Sequence, residues 1–371
     1  MFADFGANVV KVEKPGKGDD LRNWKINGIS HWWAVYSRNK RSISIDLKKD
    51  EGLDLLKELV KSADVFIENF VPGTLEKWGI GPEQLDELNK NLIILRISGW
   101  GQTGIFKNAP GFGSLVEGMS GFAAMTGEEK QSPLLPPLAL ADMVAGLTGF
   151  GAILMAILAS KKNNTGGQVI DLSLFEPFFS ILGPWAASYK ISGKVPERIG
   201  NRSNVAAPRG IYKTKDNKYV SLSASMQSMW EKLALTIGSS DLIKDPRFLT
   251  NSDRLNNQDD LDKPISKFIK KYSREEVLNI FSKEGITVGP VLDISEIIEH
   301  PYIQDREVLI DHYNKEYGNV LMHQAFPRLS KTPGKIRHSA PSLGGDTDLV
   351  LKEIGISEKQ IQMLRKNKII N

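Results

Sequence analysis

Short apolar runs alternating with helical periods constrain the fold of this 371-residue chain more than anything else in it. Residues 64–67 (DVFI) and 92–97 (LIILRI) are apolar at almost every position, whereas a strand covered on one face would alternate. Further strands are read at 8–12 (NVVKV), 41–47 (RSISIDL) and 168–172 (QVIDL). Residues 51–60 (EGLDLLKELV) carry apolar side chains at helical spacing, and 82–89 opens a helix on a proline. Strands of this kind separated by helices predict an α/β fold whose parallel sheet is covered on both faces.

A polar stretch rich in Gly, Pro and Asn at 192–209 (SGKVPERIGNRSNVAAPR) reads as a linker. Beyond it 210–214 and 219–223 flank a four-residue polar turn, which predicts a hairpin. Amphipathic helices at 229–237, 261–272 and 274–284 complete a smaller α+β region, and 357–366 is a last helix. The length accommodates two domains.

Composition excludes several chemistries. There are no cysteines, so disulfides, thiolate zinc sites and a cysteine nucleophile are all ruled out. The five histidines, at 31, 300, 312, 323 and 338, have no ligand spacing. The Walker-type phosphate loop, HExxH and GxSxG are absent. A net charge of +4 without clustering argues against nucleic acid and suits an anionic small molecule. No signal peptide is read at the N-terminus, and 143–159 is short for a membrane span, so a soluble, cytoplasmic protein with no membrane association is expected.

Asp142 is the lone charge within 136–160 (PPLALADMVAGLTGFGAILMAILAS). Residues 143–159 read as one buried helix, which puts Asp142 at its N-terminus. It is either a helix N-cap or a carboxylate nucleophile in a dry pocket, held ionised by the helix end. Basic groups recur after predicted strands. Lys11, Lys14 and Lys17 flank a glycine turn, and Lys48 and Lys49 follow the second strand. After 64–67 comes Glu68-Asn69-Phe70-Val71-Pro72-Gly73. Each lysine alone is an ordinary surface charge. Together they suggest a phosphate-bearing ligand, with the Asn-Phe turn offering amides and an aromatic face for a base.

The strings 10–19 (VKVEKPGKGD), 37–48 (SRNKRSISIDLK) and 68–79 (ENFVPGTLEKWG) resemble, in order, the family III CoA-transferases, the CaiB/BaiF group. The later strings 245–248 (DPRF), 285–291 (GITVGPV) and 340–344 (APSLG) carry the same resemblance. It implies a Rossmann-like, CoA-binding large domain with a parallel sheet, formed by 1–190 with 299–371 returning to it. A smaller α+β domain is inserted at 200–298, and two chains form an interlocked homodimer. Family members carry a first strand and a CoA-touching loop ahead of the point where this chain opens, as though its start were misassigned or removed.

The resemblance also implies that Asp142 is the nucleophile. The implied CoA contacts are Lys14, Ile45, Lys48, Asn69, Phe70, Val71, Lys77, Phe112 and Gly113. Lys77 stands where arginine is common in the family, which keeps the charge and loses the bidentate fork. The related α-methylacyl-CoA racemases pair the aspartate with histidine in a Gly-His-Asp segment, whereas this chain has Gly111-Phe112-Gly113. Racemisation needs two bases, so CoA transfer between an acyl-CoA and a carboxylic acid is the implied activity. CoA is then a substrate, with no permanently bound cofactor and no metal. The alternatives are a racemase, or a CoA-binding protein whose chemistry was lost at its N-terminus. Glu117, five residues after Phe112 in the same segment, is in a position to assist, but it reads first as a solvated surface residue. Fatty, dicarboxylic and aromatic acids all remain open as acyl groups.

Overall fold

In the computed structural model, which describes residues 1–371, the apolar runs form parallel strands in two ladders rather than one sheet. β1 (Val10–Glu13) pairs with β2 (Arg41–Ser44), Val10 lying opposite Arg41. β3 (Val65–Glu68), β4 (Ile93–Ser98) and β5 (Gln168–Ser173) make the second ladder, with β4 central. β4 contains the most continuous apolar run and buries Ile93, Ile94 and Leu95. The second strand ends at Ser44, short of the expected 41–47; Ile45 still donates its amide to Glu13 O and also forms an isolated antiparallel bridge with Ile370.

Helix α1 (Asp50–Lys61) turns Leu56 and Val60 into a core shared with Leu75, Ile80, Leu85 and Ile94. After β3 come a short helix α2 (Thr74–Lys77) and the proline-led helix Pro82–Leu88. Pro82 sits in the first turn, where its missing N–H has no partner to lose. Helix α3 (Gly113–Met119) follows β4, and the long helix α4 (Leu140–Asn163) leads into β5. Helix α5 (Phe175–Ser180) comes after β5.

α4 departs from the expected helix in two ways. It spans 24 residues, so by length and composition it could cross a membrane, and the argument from shortness does not hold. Nor is it buried all round. One narrow stripe, Ala141, Ala145, Gly149, Ile153 and Ala156, is buried. A Cβ at Gly149 would stand 3.0 Å from Leu95 Cδ2 and 3.2 Å from Leu172 Cδ2, so the small residues let the helix lie close against β4 and β5. Leu147, Leu154, Met155 and Leu158 on the other faces are exposed in the single chain.

These elements belong to a first unit made of Met1–Glu117, Leu138–Ile181 and Ile298–Asn371. The second unit comprises Gly118–Pro137 and Leu182–Ile297, so 118–137 and 182–190 group with it although they fall within the 1–190 span. In it β6 (Arg209–Lys213) and β7 (Tyr219–Ser223) form the expected hairpin, and β8 (Val288–Pro290) adds a third antiparallel strand. Asn217 takes a left-handed φ of 60° in the turn, which asparagine tolerates. Both hairpin strands bury alternate residues. Helices α6 (Gln227–Thr236), α7 (Gln258–Ile269) and α8 (Arg274–Lys283) cover that face with Trp230, Leu261, Ile265 and Phe281.

The chain then returns to the first unit as an antiparallel hairpin, β9 (Leu309–Asn314) and β10 (Gly318–His323). Helices α9 (Thr347–Glu353) and α10 (Glu358–Lys366) follow. Val350, Leu351 and Ile361 from these helices join Ile43, Ile45 and Leu55 in one core, so the C-terminus covers β2. α10 starts on a capping box between Ser357 and Gln360.

Glu13 ends β1 in a buried polar knot. Its carboxylate accepts from Arg22 Nε (2.7 Å) and Nη2 (2.8 Å), Ser42 Oγ (2.5 Å) and the Asp19 amide (2.9 Å). Burial alone would raise its pKa, but Arg22, Ser42 and Asp19 outweigh that and hold it below the ordinary value. Removing Glu13 takes the counter-charge from a nearly buried Arg22, which keeps only its bond to Pro341 O and its stacking over Trp33. Glu13→Ala is therefore expected to lower unfolding stability by about 3–5 kcal/mol at pH 7 in urea titrations. The wild type holds this advantage in full above the unfolded-state pKa of about 4.3 and loses it as pH falls through the depressed folded-state value.

Candidate active site

The site begins where the chain leaves β4 and doubles back. A Cβ on Gly99 would lie 2.5 Å from Gly111 Cα, so the crossing of these two segments requires glycine on both. Trp100 Nε1 donates to Pro110 O at 2.9 Å and closes the loop between them. The chain emerges as Phe112 and the first turn of α3. Gly113 then meets the first turn of α4, where a Cβ would stand 2.1 Å from Asp142 Oδ2 and 3.9 Å from Ala141 Cβ. Two of the expected residues, Gly113 and Asp142, are thus brought together, with Phe112 beside them.

Asp142 is not the N-cap. Ala139 holds that position with no side-chain hydrogen bond, and the helix is already under way at Leu140. Two amides of the first turn are satisfied from outside the helix ladder: Leu140 N donates to Leu138 O (2.8 Å) and Ala141 N to Glu117 Oε1 (3.1 Å), while Met143 N makes the first regular helix bond, to Ala139 O (3.0 Å). The Asp142 carboxylate is left with its own amide.

Its pKa is raised rather than lowered. Desolvation is the largest cause, its own N–H opposes it, and the charge of Glu117 adds to the rise. The backbone amide at the helix end favours the ionised form, as the sequence reading supposed, but desolvation outweighs it. Asp142 stays open to solvent at its tip, and no cation is paired with it. An exposed carboxylate without a salt bridge, in desolvating surroundings, is equipped to act as a nucleophile.

Glu117 is a correction. It is not a solvated surface residue but only 3% exposed, one turn along α3 from Gly113. Sequence reasoning singled it out but read it as solvated, because its acceptor role depends on Ala141 of another helix. The sole available hint was its four-residue spacing from Gly113, which places both on one face of a helix. Phe112 is 73% exposed and has no group that accepts a proton.

The remaining expected residues follow the C-terminal ends of parallel strands. Lys14 comes directly after β1, Lys48 beyond β2, and Asn69, Phe70 and Val71 directly after β3, all exposed. The last loop is held from below. Glu68 accepts from the Phe70 amide (2.7 Å) and from Arg96 Nε (2.7 Å), while Arg96 Nη1 also donates to Glu76 (2.7 Å). Phe70 packs edge-on against Trp78 at 5.1 Å, and Lys77 stands exposed on α2. Ile45 is different. Its side chain is in the core and its amide donates to Glu13 O, so neither is available to a ligand. Sequence could not separate it from its exposed neighbour Lys48, since the bridge to Ile370 is made across the whole length of the chain.

A family model described as CoA-transferase family III matches residues 1–347. The succinyl-CoA–D-citramalate CoA-transferase of Chloroflexus aurantiacus is 35% identical over 100% of this chain and 93% of its own. The human succinyl-CoA:glutarate CoA-transferase is 31% identical over 95% of this chain and 81% of its own. In fold, the chain is similar to a crystal structure of a CaiB/BaiF family protein from Brucella suis. That similarity has a TM-score of 0.83 and 32% identity, and it covers 95% of this chain and 93% of the other.

Gly113 has a helical, unstrained backbone, so alanine there is expected to leave the fold intact or improve it by up to about 1 kcal/mol. The new methyl would push the Asp142 carboxylate aside. Chemistry at Asp142 is expected to slow by about 100-fold while Tm stays at or above wild type, measured by single-turnover kinetics and calorimetry.

Proposed function

This chain belongs to CoA-transferase family III, and from that premise we propose that it moves CoA from an acyl-CoA to a carboxylic acid through covalent intermediates on Asp142. The observation that carries the reading is the unpaired, desolvated Asp142 carboxylate against Gly113.

An Asp142 oxygen attacks the thioester carbonyl and the C–S bond breaks, giving a mixed anhydride and CoA thiolate. The thiolate attacks the aspartyl carbonyl, releases the donor acid as its carboxylate and leaves an aspartyl-CoA thioester. The acceptor carboxylate then attacks that thioester, and the thiolate returns to the acceptor's acyl carbon. This restores ionised Asp142. No proton is transferred in these steps, which suits a site with one carboxylate in the open and Phe112 where a base would be needed for exchange at the α-carbon.

The exposed lysines after the strands, Lys14, Lys48 and Lys77, supply positive charge for the phosphates of CoA. Asn69 and Phe70 offer an amide and an aromatic face on a loop braced by Glu68 and Arg96. The relatives act with succinyl-CoA as their names state, which supports succinyl-CoA as donor and a dicarboxylic or hydroxydicarboxylic acid as acceptor.

Wild-type protein incubated with succinyl-CoA and hydroxylamine is expected to yield an Asp142 hydroxamate on peptide mass mapping. Asp142→Asn is expected to lose transfer by at least about 1,000-fold while still binding CoA. An adduct mapped to another residue, or transfer retained in the variant, would sink the assignment.

The exposed Leu147, Leu154, Met155 and Leu158 on α4 support a second copy of the chain as the partner, in the interlocked homodimer that the resemblance implies. Interlocked chains separate only by unfolding. Native mass spectrometry is expected to find dimer alone on dilution to nanomolar concentration, and a monomer that grows on dilution would contradict it.

A further inference from the structure

The reaction steps above leave Glu117 without a part, although its carboxylate is buried beside the residue that reacts. Two contacts tie α3 to consecutive residues of α4. The site of the missing Gly113 Cβ faces Asp142, and one helical turn on Glu117 accepts from the Ala141 amide. That amide is one of the first-turn donors which, left free, would stabilise an anion at the helix end. Glu117 takes it.

The charged groups on the other elements packed against α4 are engaged elsewhere. Arg96 on β4 is bound to Glu68 and Glu76, Asp171 on β5 accepts from the Gln102 amide, and Glu176 on α5 accepts from Ser173. The charge acting on Asp142 is that of Glu117.

We propose that Glu117 is a positioning residue for Asp142: it caps α4 from a neighbouring helix and fixes the nucleophile over Gly113, and its charge makes ionised Asp142 a poorer resting state than acylated Asp142. Every covalent stage of the reaction leaves Asp142 neutral, so forming it relieves the repulsion between two neighbouring carboxylates. The inference rests on Asp142 being the nucleophile.

The test is the pH profile of Asp142 acylation in single turnovers with succinyl-CoA. Glu117→Gln keeps an oxygen for the Ala141 amide and removes the charge. Tm and CoA affinity are expected to stay near wild type. The midpoint of the acid limb should move to lower pH, and the rate at neutral pH should fall by roughly threefold to tenfold, as a less basic carboxylate attacks more slowly. Glu117→Asp, which keeps the charge, should return the midpoint towards wild type. A purely structural cap would leave midpoint and rate unchanged in Glu117→Gln, and that result overturns the proposal.

A second measurement needs no variant. Carbon-13 NMR titration of carboxyl-labelled aspartate in the wild type should place Asp142 above the ordinary value of about 3.9, and a value at or below it overturns the proposal as well. Failure of wild-type Asp142 to form any adduct overturns the nucleophile reading and this inference together. An adduct at Asp142 with an indifferent Glu117→Gln removes this inference alone.

Discussion

The close approach of α4 to the β3–β5 ladder governs the site. A stripe of alanine and glycine removes the side-chain bulk that would hold a helix further from Leu95 and Leu172. Asp142 lies in the first turn of that helix, so its height above the sheet follows from contacts made at Ala145 and Gly149. The same economy of volume recurs at Gly99 and Gly111, where two segments cross, and at Gly113, where the carboxylate itself fills the missing methyl's place. A side chain carried on a packed helix is held more rigidly than one on a loop.

At the N-terminus of α4 the first-turn amides are shared between two carboxylates. The Ala141 amide donates to Glu117 and the Asp142 amide to its own carboxylate, while desolvation and the charge of Glu117 raise the pKa of Asp142. The buried knot around Glu13 shows the opposite treatment in the same unit. There four hydrogen bonds outweigh burial, and the carboxylate serves the fold.

The loop after β3 follows a third logic. Asn69 and Phe70 are exposed, but Glu68 and Arg96 beneath them are almost entirely buried and fully paired. The loop surface is thus open to solvent while its backbone is held by a salt bridge that also reaches Glu76 on the next helix.

The sequence by itself determined the local elements and the family. The apolar runs became strands, the 210–223 pattern became a hairpin, and the motif strings led to the CoA-transferases, because strand period, turn chemistry and short motifs are local properties. Asp142 was legible for the same reason, as a charge alone in an apolar run. Tertiary structure decided what those residues have around them. Whether Ile45 faces a ligand or the core depends on Ile370, and whether Asp142 is a cap depends on Glu117 reaching Ala141 from another helix. The division of the strands into two ladders and the one-sided burial of α4 are likewise set by packing between distant segments. Hydropathy along a chain records that a side chain is apolar, but which neighbour removes it from water is decided only when the segments meet.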